Sequence, residues 1–232
     1  MDYNKPNLSI VIPILNEAKN IKILIPKIFY HLQKNNIKKG EVLLIDDNSS
    51  DNINPVFLDL KKKFKFIYLL KRRTKKDLSK SCVMGFKKAK SNYILVMDGD
   101  LQHNPKYIPI MYQKLIKNDL DFVIGSRDLI KKGRKGLGII RYISSIFLIF
   151  IINIALGKKT DDPMSGFFLF KKKFFHLNKN KLFNQGYKIL ADLLYANNNP
   201  LKTKDIQINF KTRNYGKSKM GFKILIKLIL FI

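Results

Sequence analysis

A doubly wound α/β domain, its mostly parallel sheet covered by helices on both faces, is the fold class this sequence predicts. Three observations carry that prediction. Short apolar runs alternate along the chain with stretches of helical periodicity. The runs are continuous rather than alternating, which is how strands buried on both faces read. Turn and capping residues stand where several of the runs end.

The elements follow in order. Residues 8–15, LSIVIPIL, form the first strand, closed by Asn16 and Glu17, and residues 17–35 carry apolar side chains at helical spacing. EVLLIDD (41–47) is the second strand, with NSSDN as a turn and helix start. KFIYLL (65–70) is the third, and residues 78–90 read as a helix. YILVMD (93–98) is the fourth, followed by Pro105 where a helix would begin, running to about residue 117. DFVIGS (121–126) is the fifth. GYKILADLLYANN (186–198) places Ile189, Leu190, Leu193 and Leu194 on one helical face, with Asp192 either a solvated acid or a carboxylate near the site. TKDIQINF (203–210) is a further strand that leads into RNYGKSK, which reads as a mobile loop.

The chain has 232 residues, enough for one domain with a full core, and 46% of them are hydrophobic. Lys and Arg number 45 against 17 Asp and Glu, a formal net charge of +28. That balance suits an anionic partner, or a biased composition with solvated lysines. A single cysteine, Cys82, excludes a disulfide framework and a cysteine zinc cluster. The three histidines are scattered, and the polar start MDYNKPN is no signal peptide, so a cytoplasmic catalytic face is expected.

In such sheets ligands bind beyond the carboxyl ends of the strands. There the chain places Asn16-Glu17, Asp46-Asp47, Asp98-Gly99-Asp100 and Ser126-Arg127. One Asp after a strand is an ordinary helix cap. Acids at successive strand ends, in a chain poor in them, indicate a site. No GxGxxG follows the first strand, YGKSK lacks the first glycine of a P-loop, and GxSxG is absent. In DGDLQH (98–103), carboxylates at i and i+2 with an intervening glycine can hold a hard divalent cation, Mg²⁺ or Mn²⁺, with Gln102 adding a neutral oxygen. Such a cation would neutralise a leaving diphosphate.

VIPILNE, LLIDDNSSDN, MDGDLQHNP, GSR, DPMSGFFLF and RNYGKSK occur in one order along nearly the whole chain. Together they resemble the family-2 glycosyltransferases of GT-A fold, and within them the dolichyl (polyprenyl) phosphate mannose synthases. The resemblance implies one GT-A domain over 1–232 and an inverting transfer of mannose from GDP-mannose to a polyprenyl or dolichyl phosphate, with a polyprenyl-phosphate glucosyltransferase or another UDP-sugar enzyme as the neighbouring branch. It implies that Pro13, Glu17, Ile45 and Asp47 hold the base and ribose. Asp98, Asp100 and Gln102 would bind the metal, and Gly99 would line the nucleotide. Arg127, Arg213 and Lys219 would contact phosphates, and Arg141 the acceptor phosphate, which makes Asp100, Arg127 and Arg141 the expected catalytic set. Two departures bear on the donor base. Leu15 replaces the family's aromatic, and KDLSKS (76–81) replaces a glycine-rich segment.

IIRYISSIFLIFIINIAL (139–156) is nearly long enough to span a bilayer, but Arg141, Ser144, Ser145 and Asn153 interrupt it. An interfacial helix is the expected reading, with a buried core helix as the other. The C-terminal segment 220–232 reads as an amphipathic membrane anchor, and KRRTKK (71–76) and KKK (171–173) as solvated faces. The expectation is a peripheral protein on the cytoplasmic side of a membrane, whether or not with a membrane-subunit partner. Two rival classes fit less well. A nucleotidyltransferase needs a glycine-rich loop where ILNEAKN stands, and a nucleic-acid-binding module would not gather acids at the strand ends, so no nucleic-acid partner is expected.

Overall fold

The computed structural model describes residues 6–37, 39–127, 157–186, 188–197 and 199–210. Among them lie β1 (Leu8–Ile14), α1 (Ala18–Lys34), β2 (Gly40–Asp46), α2 (Ile53–Lys63), β3 (Ile67–Lys71), α3 (Leu78–Lys88), β4 (Tyr93–Val96), α4 (Tyr107–Lys117), β5 (Phe122–Arg127), β6 (Phe168–Lys171), α5 (Lys173–Asn178), α6 (Ile189–Tyr195) and β7 (Thr203–Ile208). The strands form one sheet in the order β3-β2-β1-β4-β6-β5-β7. All neighbours are parallel except β6, which runs antiparallel to both β4 and β5.

Burial on both faces explains the continuous apolar runs. Ile10, Ile12, Val42, Leu44 and Leu95 pack with Ile21, Leu24, Leu60 and Met111 from α1, α2 and α4. Their alternating neighbours Val11, Leu43, Ile45 and Val96 pack on the other face with Cys82 and Phe86 of α3, Phe175 of α5 and Leu193 of α6. The result is a three-layer α/β/α arrangement, the expected doubly wound class.

β6, like α5 after it, is an element the sequence does not announce, and β6 is the one that bears on the site. Its four residues, FLFK, show no alternation and no turn signal of their own. Its direction matters for function. An antiparallel strand begins at the edge where its parallel neighbours end, so the segment 161–166 before β6 lies beside the carboxyl ends of β4 and β5. The KKK run also departs from the expected solvated face. Lys171 Nζ pairs with Asp119 (2.7 Å) and Asp121 (3.2 Å), and Lys172 Nζ donates to the Ala89 carbonyl (2.6 Å).

Between β1 and β4 the connection order reverses, because β2 and β3 add on one side of β1 and β4 on the other. A crevice opens at such a switch point. Its rim is braced across the β1 and β2 ends. Asn16, at φ +57°, accepts at Oδ1 from Ser50 N (2.7 Å), and its own N–H donates to Ser49 Oγ (2.9 Å). Asp51 accepts from Ala18 N (2.8 Å) and Asp46 from Ser49 N (3.0 Å). The NE and DDNSSD segments are thus one hydrogen-bonded unit.

Candidate active site

The DGD turn occupies the switch point. β4 ends at Val96, Met97 N still donates to Val11 O (3.2 Å), and the chain then turns through Asp98 to Gln102. Asp100 is buried and its Oδ1 accepts from Gln102 N (3.1 Å). Leu101 between them has φ +65°, a conformation that a leucine rarely adopts. The turn is held by His103, to which residue type and spacing alone assign no role. His103 is 2% exposed, and its Nδ1 accepts from Asp98 N (3.3 Å). Its ring stacks on Phe167 at 5.0 Å and meets the edge of Phe210 at 5.5 Å. Burial pushes the imidazole down to about 4, so it is neutral at pH 7, as an accepting Nδ1 requires.

Asp98 is the more open of the two carboxylates, its side chain 36% exposed. It lies against the backbone that leads into β6: a Cβ built on Gly166 would stand 2.6 Å from Asp98 Oδ2 and 2.9 Å from Oδ1. Gly99 has a different reason for its missing side chain. A Cβ there would meet Ile14 at 3.1 Å and Ile21 at 3.4 Å, both in the core. Packing beneath the turn thus demands glycine at position 99, and the backbone of Gly99 is what the turn can present to a ligand. Two carboxylates and the Gln102 amide make an oxygen donor set that fits Mg²⁺ or Mn²⁺. Among the described residues no group of three or more His, Cys, Asp or Glu could hold a metal.

Arg127 lies on the other side of this turn, at the end of β5. Its Nε donates to Asp162 Oδ2 (2.7 Å) and its Nη2 to Oδ1 (2.9 Å), a bidentate pair in which the carboxylate has no exposed surface. Burial opposes the charge on Arg127, but Asp162 and then Asp98 outweigh it and hold the guanidinium fully protonated. Phe210, just beyond β7, covers it at 5.7 Å. In the sequence Asp162 stands out only as the first residue of DPMSGF. Its neighbours fix the loop: Ser165 Oγ donates to Gly125 O (2.7 Å), and Asp205 of β7 accepts from Thr160 Oγ1 (2.6 Å) and Asp161 N (2.7 Å).

The residues expected around the nucleoside are less uniform. Pro13 is buried within β1, and Glu17 is buried and accepts from Asn20 Nδ2 (2.6 Å). Ile45 has no exposed surface and its side chain belongs to the core with Cys82 and Phe86. Asp47 is buried against Arg72, whose Nη1 donates to Oδ1, while Asp77 N donates to Oδ2 (2.7 Å). Burial raises the Asp47 carboxyl against the pull of those donors. KRRTKK is thus not wholly a solvated face. Asp192 is half-buried and accepts from Asn184 N (2.9 Å), and burial raises its carboxyl too.

Arg141, Arg213, Lys219 and the segments 139–156 and 220–232 lie outside the described residues. Among the described residues no helix is long and apolar enough to cross a membrane.

The family model for glycosyl transferase family 2 matches residues 9–177. Dolichol-phosphate mannosyltransferase of Saccharomyces cerevisiae is 30% identical over 94% of this chain and 83% of its own length. The protein of the same name from Pyrococcus furiosus is 34% identical over 94% of this chain, which spans 60% of that relative. Among solved structures, glucosyl-3-phosphoglycerate synthase from Mycobacterium tuberculosis, in complex with Mn²⁺, UDP-glucose and phosphoglyceric acid, aligns over 97% of this chain and 78% of its own. The TM-score is 0.69 at 14% identity, a likeness of fold. The ordered motifs, the switch-point carboxylates and a family match over more than half of the sequence lead to one assignment: the chain belongs to glycosyl transferase family 2.

Proposed function

We propose that this protein moves mannose from GDP-mannose to a dolichyl or polyprenyl phosphate, with inversion at the sugar, while peripherally associated with the cytoplasmic side of a membrane. The observation that carries the reading is the likeness to two dolichol-phosphate mannosyltransferases along nearly the whole chain. In the reaction an acceptor phosphate oxygen attacks the anomeric carbon as the bond from that carbon to the donor's β-phosphate oxygen breaks, and the nucleoside diphosphate leaves. The acceptor is anionic at neutral pH and needs no strong general base.

Asp98, Asp100 and Gln102 would hold Mg²⁺ or Mn²⁺, whose charge neutralises the leaving diphosphate. The chain's own task is to bring two anions together. Asp162 fixes the plane of Arg127 by its bidentate pair and leaves Nη1 as the guanidinium nitrogen without a described partner. That arrangement suits a phosphate oxygen on the β5 side of the turn. Arg141, Arg213 and Lys219 would add positive charge around the acceptor. The neutral His103 holds the Asp98 backbone and exchanges no proton at pH 7.

The test is a donor screen with a short polyprenyl phosphate, Mn²⁺ or Mg²⁺, and GDP-mannose, UDP-glucose or UDP-N-acetylglucosamine in separate reactions. Transfer of label to the lipid from GDP-mannose alone, lost in Asp100→Ala, is the expected result. Transfer from a UDP-sugar alone would move the protein to the neighbouring branch of the family.

A further inference from the structure

Of the basic run 71–76, one residue is inside the protein. Arg72 is 8% exposed, while Lys71, Arg73, Lys75 and Lys76 are exposed. Its guanidinium meets more than Asp47. Nη1 also donates to Asp77 O (3.1 Å) and Ser81 Oγ (3.2 Å), and Nη2 to Thr74 Oγ1 (2.9 Å) and Lys75 O (3.2 Å). Its backbone N–H donates to Asp46 O (2.8 Å). One side chain therefore closes the whole turn from residue 72 to 77 and ties it to the end of β2. Asp77 carries the tie onward. Its Oδ1 caps α3 through Lys80 N (3.0 Å), and its Oδ2 accepts from Gly186 N (3.0 Å). A planar five-donor fork can do this, and an ammonium cannot.

The position of this clamp in the sheet suggests what it serves. The DGD turn at β4 takes the diphosphate, and Arg127 with Asp162 fills the β5–β6 side. The nucleoside is left the other half of the edge, over β1, β2 and β3, where the Arg72 turn stands at the outer end. We propose that Arg72 is a positioning residue for nucleoside recognition: it makes no contact with the donor itself, but holds the Asp47 carboxylate and the 72–77 turn as the rigid outer wall of the nucleoside cleft. Discrimination between bases then depends on Arg72, although the residue touches none. The inference rests on reading the site as one for a nucleotide sugar.

The test is binding rather than transfer. GDP, UDP, ADP, CDP and inorganic pyrophosphate are titrated into the full chain at fixed Mn²⁺, for the wild type, Arg72→Lys and Thr74→Val. Arg72→Lys is expected to weaken the preferred nucleoside diphosphate about tenfold or more, and to shrink the spread among the four by a similar factor. Pyrophosphate, which has no nucleoside, stays within about twofold. Thr74→Val removes one acceptor of the clamp and shifts the same ratio in the same direction by a smaller factor, which covers the case of an unfolded lysine variant. An unchanged spread in a folded variant would overturn the proposal, as would parallel weakening of nucleotides and pyrophosphate, the mark of general loosening. A wild type that prefers UDP would refute the GDP-mannose reading and leave this inference standing. A wild type that binds none of the four would overturn both.

Discussion

Gly166→Ala tests whether Asp98 is held where it is by the backbone leading into β6. The new methyl would lie 2.6 Å from Asp98 Oδ2, 2.9 Å from Oδ1 and 3.0 Å from Cγ. Carbon and oxygen in ordinary contact are about 3.3 Å apart, so the carboxylate must retreat by roughly 0.7 Å. It has room, since the Asp98 side chain is 36% exposed and sits on a turn rather than in the core. The fold should therefore lose no more than about 1 kcal/mol. The reaction should lose far more, because a misplacement of about 1 Å at a reacting centre costs ~10²-fold in rate. The assay is sugar transfer at saturating donor and acceptor, with the Mn²⁺ concentration for half-maximal rate as a second readout and melting temperature as the third. Gly85→Ala is the control. Its methyl would overlap Val11 Cγ1 deep in the sheet–helix contact and meets no carboxylate. It should lower stability by ~1–3 kcal/mol and leave the rate per folded molecule intact. If Gly166→Ala keeps the wild-type rate and the wild-type metal dependence, Asp98 is not confined as described, and its assignment to the cation weakens with it.

Three further outcomes are expected. Asp162→Asn leaves Arg127 buried without its counter-charge; unfolding in urea should show a loss of ~3 kcal/mol, and transfer should fall more than it does in Gly85→Ala. Lys188 is held at about 8, below its ordinary value, chiefly by burial. Between that value and 10.5 the unfolded chain holds more protons than the folded one, so stability should rise with pH across this window. Melting temperatures at pH 7.5 and 9.5 should show the rise in the wild type and a flatter profile in Lys188→Met; parallel profiles would exclude Lys188 as the cause. Finally, removal of divalent metal by a chelator should abolish transfer without lowering the melting temperature by more than a few degrees, since a protein hydrogen bond, from Gln102 N to Asp100 Oδ1, already holds the turn.

The parts of this structure legible from sequence are those whose signal is local. β1 and β2 announce themselves because burial on two faces leaves uninterrupted apolar runs, and the acids at their ends stand out against a chain of +28. DGDLQH could be placed from sequence at the end of β4, where the structure turns the chain. β6 could not be read, since four residues of FLFK carry no period and their pairing with β4 and β5 depends on partners far apart in sequence. For the same reason Gly99 and Gly166 looked alike as letters. One is glycine because Ile14 lies behind it, the other because a carboxylate 68 positions away lies in front of it.

Arg72 and Lys71 show the limit most sharply. They are adjacent, both cationic and both within KRRTKK, yet one is exposed and the other buried against Asp47. Nothing local separates them. The difference is made by Asp47, 25 residues away, which the end of β2 carries into a place where a carboxylate cannot stay charged without a donor. The same logic runs through the whole site edge. Asp162 is buried because Arg127 meets it, and Arg127 can be partly buried because Asp162 does. Asp46 takes Ser49 N, Asp51 takes Ala18 N, and Asp77 takes Lys80 N and Gly186 N. Of the acids gathered at this edge, Asp98 alone combines a turn position at the switch point with a side chain more than a third open. A chain with few acids has committed most of those here to holding loops, so the DGD turn is where the proposed cation would approach. That is why one small methyl on Gly166 should matter more to the reaction than a larger disturbance in the core.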